Sequence, residues 1–228
     1  MAKFHFLFEQ SGTFKNAAIK LGHTAYDYDI VKTDDVDFQL DIFEQIDLYL
    51  NGGENFDRSI FAKFDKQDIV FAFFPCTYFS TMSFLPLRMS WRNYQNLSES
   101  DKIANIITRS QLRQEYYEKF LQLFQLAYFC GFKLVVENPW TASFLKQNAP
   151  FPPQVVHQDR TKYGDVLKKP TSYWFVNEEP NFLDMPYHYK DTKGHIVDLA
   201  KGITRSLIDC DYALNFISHY FGEVEDVR

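Results

Sequence analysis

Cysteine is scarce in this chain: Cys76, Cys130 and Cys210 are the only three among 228 residues. They are odd in number and widely spaced, with no Cys-x-x-Cys pair. That pattern argues against a disulfide framework and a zinc site, and points to a reducing cytoplasm. Positive charge is also short, with 24 Lys and Arg against 30 Asp and Glu, a formal net charge of -6. There is no overall basic field to draw in nucleic acid, which leaves only a local basic face for that purpose. Long apolar runs are missing as well. Nothing approaches the roughly 18 residues of a membrane span. The opening "MAKFHFLFEQSG" has too short an apolar run and too polar a sequel for a signal peptide. A soluble, cytoplasmic protein is expected, and no repeat, low-complexity tract or domain linker divides it.

Apolar and aromatic residues are plentiful, at 46% and 18% of the chain. That suffices for a substantial core, and residues 1–228 are read as a single domain. "KFHFLF" (Lys3 to Phe8) predicts a strand. Phe14, Ala17, Ala18 and Leu21 then share one face of a helix from Thr13 that Gly22 ends. "TAYDYDI" (Thr24 to Ile30) is a second strand, and a short third one up to about Leu40 runs into a helical turn. "DIVFAFF" (Asp68 to Phe74) is nearly continuous in apolar residues, as expected of a central parallel strand covered on both faces.

The region from Glu99 to Gly131 is the longest helical stretch and is predicted to break near its middle. Phe120, Leu121, Phe124, Ala127 and Tyr128 recur there at helical spacing. "FKLVVEN" (Phe132 to Asn138) is another buried strand. Beyond the proline-rich connector "APFPPQ", an aromatic strand is expected over Thr171 to Val176. An irregular insertion follows over 178–201. The last helix, within "SLIDCDYALNFISHYFG", has Leu207, Tyr212, Ala213, Phe216, Ile217 and Tyr220 as its apolar set. Cys130 and Cys210 fall on helices and read as structural.

Strands alternating with helices imply an α/β protein with a mostly parallel sheet, which binds ligands beyond the carboxyl ends of its strands. Those ends carry Glu9-Gln10-Ser11-Gly12, Asp27 and Asp29, Asp41, Pro75-Cys76 and Glu137-Asn138-Pro139. A pocket built from them holds a glycine turn, several carboxylates and one thiol. By itself Cys76 is either a small hydrophobe filling a gap or a nucleophile at the edge of the sheet.

Taken in order, these segments resemble the DNA cytosine methyltransferases that act on carbon five, especially compact phage-type members. "LFEQSGTFKNAAIKLGHTAYDYDI" is similar to the family's opening S-adenosylmethionine motif. "FPCTYFS" resembles its catalytic Pro-Cys segment, and "VVENP" its Glu-Asn motif. "YGDVLKKPTSYWFVN" resembles the basic strand that follows, and "ITRSLIDCDYALNFISHYF" the closing helix.

The resemblance implies a Rossmann-like methyltransferase fold and S-adenosylmethionine as cofactor. It implies Cys76 as the nucleophile that adds to carbon six of the base. Glu137 is then the group at ring nitrogen three, a role that needs a protonated carboxyl, which burial favours. Asn138 orients the loop, and Pro75 fixes the backbone before the thiol. Gly12 with Thr13 lies against the methionine part of the cofactor. Asp29 with Ile30 takes its ribose, and Asp41 with Ile42 its adenine, with Phe8 and Phe74 flanking the ring. DNA is the implied partner, contacted by Ser80, Arg88, Trp91, Arg92, Lys169 and Thr171, the arginines at phosphates and Trp91 against a base.

The chain departs from that pattern in two ways. Glu9-Gln10-Ser11 stands where the opening motif has more glycine. Only the 178–201 stretch stands where larger enzymes insert a target-recognition region, so sequence specificity is low, is supplied by a partner protein, or is aimed at something other than long duplex DNA. Two further readings remain open: a catalytically inactive binding protein, and methylation of a free cytidine nucleotide.

Overall fold

Short runs rich in Phe, Val, Ile and Tyr, residues whose branched or flat side chains suit a pleated surface, build a seven-stranded, mostly parallel mixed sheet. The computed structural model describes residues 2–79, 94–189 and 208–222. In chain order the elements are β1 (Lys3–Leu7), α1 (Thr13–Lys20), β2 (Thr24–Asp29), β3 (Phe38–Gln39), α2 (Ile42–Asn51) and β4 (Ile69–Phe73). Then come α3 (Glu99–Cys130), β5 (Lys133–Pro139), α4 (Ser143–Asn148), β6 (Val155–His157), β7 (Thr171–Val176) and α5 (Cys210–Phe221).

The strand order is β3-β2-β1-β4-β5-β7-β6. The first five strands run parallel. β7 lies antiparallel between β5 and β6. The order reverses between β1 and β4, the switch point at whose carboxyl ends open α/β sheets place their ligand crevice.

Each face of the sheet buries a different helix layer. On β4, Val70 and Ala72 face the cluster that includes Ile42 and Ile46 of α2 and Phe120, Leu123 and Phe124 of α3. Ile69 and Phe71 face Phe14, Ala17 and Ala18 of α1 and Tyr212, Phe216 and Ile217 of α5. Each fully buried aliphatic or Phe side chain contributes about 1.5–3 kcal/mol relative to exposure, so the two layers together fix the sheet between them.

Several expectations need correction. α3 is one continuous helix of 32 residues, capped by the Ser98 side chain and ended by Gly131 at φ 82. Its buried positions begin only at Lys119, so the apolar period fades because the first half meets solvent, not because the helix breaks. The stretch after Leu40 is a three-turn helix, because Asp41 caps it and Ile42 and Ile46 bury against the sheet. α5 begins at Cys210, where the Asp209 carboxylate caps it; Leu207 lies outside the described residues. Leu21 is 39% exposed rather than on the buried face of α1. Cys130 is half-buried, and Cys210 is exposed at a helix start rather than packed. Among the described residues, no helix is long and apolar enough to cross a membrane.

Candidate active site at the carboxyl ends of the strands

At the end of β1 the chain turns sharply. Phe8 sits at φ 62, in the left-handed region that a bulky residue rarely occupies. Its N–H still donates to the Tyr28 carbonyl at 2.8 Å. The next residue, Glu9, is buried. Its two oxygens accept from the backbone N–H groups of Phe14 (2.6 Å) and Lys15 (3.2 Å), the open donors at the start of α1. Burial pushes the Glu9 carboxyl up to about 8, against the pull of those two donors.

Gly12 precedes the helix at φ 61, in the left-handed region that favours glycine, and a Cβ there would lie 3.3 Å from both Asn16 Nδ2 and Asp35 Cβ. The Thr13 and Ser11 hydroxyls meet at 2.9 Å. The loop over this turn is pinned by charge: Lys15 Nζ lies 3.0 Å from Asp27 and 3.2 Å from Asp37.

Asp29 is buried, and its Oδ1 accepts from Val31 N–H at 2.7 Å and from Gln10 Nε2 at 3.4 Å. Ile30, beside it, is 59% exposed. Asp41 Oδ1 accepts from Phe43 N–H at 2.8 Å, as a helix cap, and Ile42 is buried in the core. Phe8 and Phe74 do not stand apart around a gap. Their rings meet edge to face at 5.5 Å, with Phe43 at 5.8 Å from each. Phe74 is held there because Phe79 and Phe120 pack on its other sides.

Across the crevice, Pro75 and Cys76 follow β4, and Phe79 N–H donates to the Cys76 carbonyl to close a turn. Arg113 of α3 holds this turn by donating Nε–H to the Tyr78 carbonyl at 2.9 Å. β5 holds it from the other side, through Asn138 Nδ2 donating to the Phe74 carbonyl at 2.9 Å. Ser172 of β7 donates in turn to the Asn138 carbonyl at 2.7 Å.

Phe73 and Glu137 are register partners on adjacent strands, which brings Glu137 to the thiol's side of the crevice. Glu137 is buried, and its Oε1 has no hydrogen-bond partner among the described residues, nor has Asn138 Oδ1. Buried polar atoms are almost always satisfied, so this carboxylate oxygen is an exception among the described residues. Burial raises the Cys76 thiol above its ordinary value; the Lys169 ammonium draws it down and the Glu137 carboxylate pushes it further up.

The structure therefore brings Pro75, Cys76, Glu137, Asn138 and Lys169 together, with Gly12, Thr13, Asp29 and Asp41 along the same edge of the sheet. Thr171 differs from the substrate contact expected of it: it is fully buried, donates to the Lys169 carbonyl at 2.8 Å and accepts from Arg160 at 3.4 Å. Ser80, Arg88, Trp91 and Arg92 lie outside the described residues.

Sequence reasoning missed Arg160. Its guanidinium is completely buried, donates Nε–H to Asp165 at 2.7 Å and lies 4.8 Å over the Tyr212 ring. Burial works against its charge, but Asp165, and after it Tyr173, Tyr212 and Glu137, hold it ionised. An arginine and an aspartate five residues apart around "YG" were the available signal. No protein-family model and no curated protein matches this chain.

Proposed function

We propose that this protein is an S-adenosylmethionine-dependent methyltransferase acting on carbon five of cytosine in DNA, with a Rossmann-like methyltransferase fold. The observation that carries the reading is the half-buried Cys76 directly after Pro75, beside a buried Glu137 whose Oε1 lacks a partner.

The crevice favours a nucleoside cofactor without phosphate. In dinucleotide-binding sheets the N-terminus of the first helix receives a pyrophosphate. Here Glu9 already occupies those N–H groups, so a phosphate would meet a buried carboxyl instead of open donors. The Gly12 turn, Asp29 and Asp41 with the half-buried Phe8 and Phe43 supply carboxylate and aromatic contacts that suit the methionine, ribose and adenine parts of S-adenosylmethionine, while Phe74 backs those rings from the core. Bound there, that cofactor supplies an electrophilic methyl group.

The chain's own residues do the rest. The Cys76 thiolate adds to carbon six of the ring, which pushes electron density towards carbon five and ring nitrogen three. Glu137 donates a hydrogen bond or proton at nitrogen three and relieves the charge that addition creates. After carbon five has taken the methyl group, leaving S-adenosylhomocysteine, the carbon-five proton is lost to water. Return of the nitrogen-three proton to Glu137 and elimination of the Cys76 thiolate then restore the aromatic ring. Asn138 and Arg113 hold the Pro75–Phe79 turn so that the thiol stays beside Glu137. Lys169 favours the thiolate.

The test is incubation with S-adenosylmethionine and DNA carrying 5-fluorocytosine, in which carbon five has no proton to lose. A denaturation-resistant protein–DNA adduct is expected, absent in Cys76→Ser. Binding of the cofactor without any adduct would sink the enzymatic reading.

A further inference from the structure

Residues 157–171 join the end of β6 to the start of β7. His157 pairs with Thr171, and Thr171 with Pro139, so this segment lies at the same end of the sheet as Pro75-Cys76. Tyr163 lies within it, and its ring begins a ladder. The Tyr163 and Tyr187 centroids are 5.8 Å apart with planes 10° from parallel. Tyr187 and Tyr189 follow at 5.8 Å and 22°. Tyr187 is 59% exposed and Tyr189 70%.

The ladder is held in place rather than loosely draped. His188 N–H donates to the Lys162 carbonyl at 2.8 Å, and Asn215 Nδ2 bridges the Tyr163 and Pro186 carbonyls at 3.2 and 2.8 Å. His157 backs the Tyr163 ring at 4.6 Å. Gly164, at φ 105, lets the chain pass under the start of α5, where a Cβ would come within 3.1 Å of Tyr212 N.

We propose that Tyr163, Tyr187 and Tyr189 form a stacking platform for unpaired bases, so that the DNA this site takes is single-stranded or locally open rather than intact duplex. The proposal rests on the reading of the protein as a cytosine-modifying enzyme and names its substrate class. Tyr163, packed between His157 and Tyr187, anchors the ladder, and the exposed Tyr187 and Tyr189 rings offer what a base stacks on, with few rotatable bonds to fix. Bases in an intact duplex have both faces covered by their neighbours and cannot use such a surface.

Electrostatics points the same way. Duplex binding is driven largely by phosphate contacts and counterion release. This chain carries a net charge of -6, and of the two exposed lysines of the segment, Lys162 and Lys168, the second lies 3.8 Å from Asp159. Asp184 and Asp159 are also within electrostatic reach of Tyr163. Stacking, which does not depend on phosphate, is the interaction such a surface can offer.

The test is fluorescence anisotropy of the full-length protein, without cofactor, on a labelled single strand of about 12 nucleotides and on the matching duplex. The single strand is expected to bind at least about tenfold tighter, with a salt dependence shallower than that of the duplex. Tyr187→Ala combined with Tyr189→Ala should weaken it about tenfold or more, while Tyr128→Ala, which removes an exposed ring of α3 outside the ladder, binds as the parent does. Tyr187→Leu with Tyr189→Leu keeps the apolar bulk and should lose affinity too, which separates stacking from misfolding.

Equal or tighter duplex binding, unchanged affinity in the paired variants, or no binding of either DNA would overturn the proposal. An adduct on 5-fluorocytosine DNA with unaltered binding by the tyrosine variants would sink the platform alone. Ladder-dependent binding with no adduct would instead sink the enzymatic reading.

Discussion

Asn138 Nδ2 donates to the Phe74 carbonyl oxygen at 2.9 Å, so the strand that carries Glu137 is tied to the residue just before Pro75-Cys76. The two proposed reacting groups lie on different strands, and this bond sets one against the other. Both ends are buried. Asn138→Ala should therefore leave a buried carbonyl without its donor and lower stability by about 1–3 kcal/mol. Urea titration should show a lower midpoint at an unchanged slope. Asn138→Asp sets a carboxylate oxygen against the carbonyl, so it should be at least as unstable at neutral pH and recover in part on acidification.

The thiol of Cys76 is raised first by burial, lowered by Lys169 and raised again by Glu137. Its alkylation by iodoacetamide should accordingly rise with pH beyond neutrality. Lys169→Met removes the favourable charge and should move that rise to higher pH, whereas Glu137→Gln should move it lower. Peptide mass spectrometry distinguishes Cys76 from the exposed Cys210. A profile unmoved by Lys169→Met would separate the lysine from the thiol.

Glu9 gives a pH dependence of stability with an unusual sign. Its folded value of about 8 lies above the ordinary 4.5, so between those two values the folded protein holds a proton that the unfolded chain has released. Stability then falls as pH rises across that window, by at most about 1.4 kcal/mol per pH unit from this one group. The urea midpoint should decline from mildly acidic to mildly alkaline pH. Glu9→Gln keeps an acceptor for the α1 N–H groups and should flatten that decline. An identical decline in the variant would place the dependence elsewhere.

The strands that carry the candidate site were readable because each is an apolar run that ends abruptly in polar residues: Leu7 to Glu9, Phe74 to Cys76, Val136 to Asn138. β7 was readable for the same reason, with every residue from Thr171 to Val176 buried. β6 was not, because a three-residue strand behind "APFPPQ" is too short to show a period. The exposed first half of α3 lost its apolar signal to solvent. Within the site, the side-chain types at the strand ends were legible, but their directions were not. A glutamate after a strand gives no sign that it will turn inward beneath a helix, as Glu9 does. Nor do two phenylalanines 66 residues apart, Phe8 and Phe74, show that their rings will touch each other. Arg160 sits in a polar loop, where a buried cation has no sequence pattern of its own.

That buried cation supports the sharpest stability contrast. Arg160 and Asp165 are both fully buried, paired through two guanidinium nitrogens, and the same arginine reaches Thr171 at the start of β7. Removing one member of such a pair leaves an uncompensated charge in the core, while replacing both with apolar groups removes the desolvation cost of each. Arg160→Met alone should cost about 3–5 kcal/mol, and Asp165→Leu alone a similar amount or more, since Asp165 Oδ1 also accepts from Leu167 N–H at 3.1 Å. The double variant should recover much of that loss in a urea double-mutant cycle, to a stability well above either single change. Additive losses would mean that the two side chains contribute independently, Arg160 through Thr171 and Tyr212 and Asp165 through its own turn. In that case the ion pair would not be what holds the segment carrying Lys169 against β7.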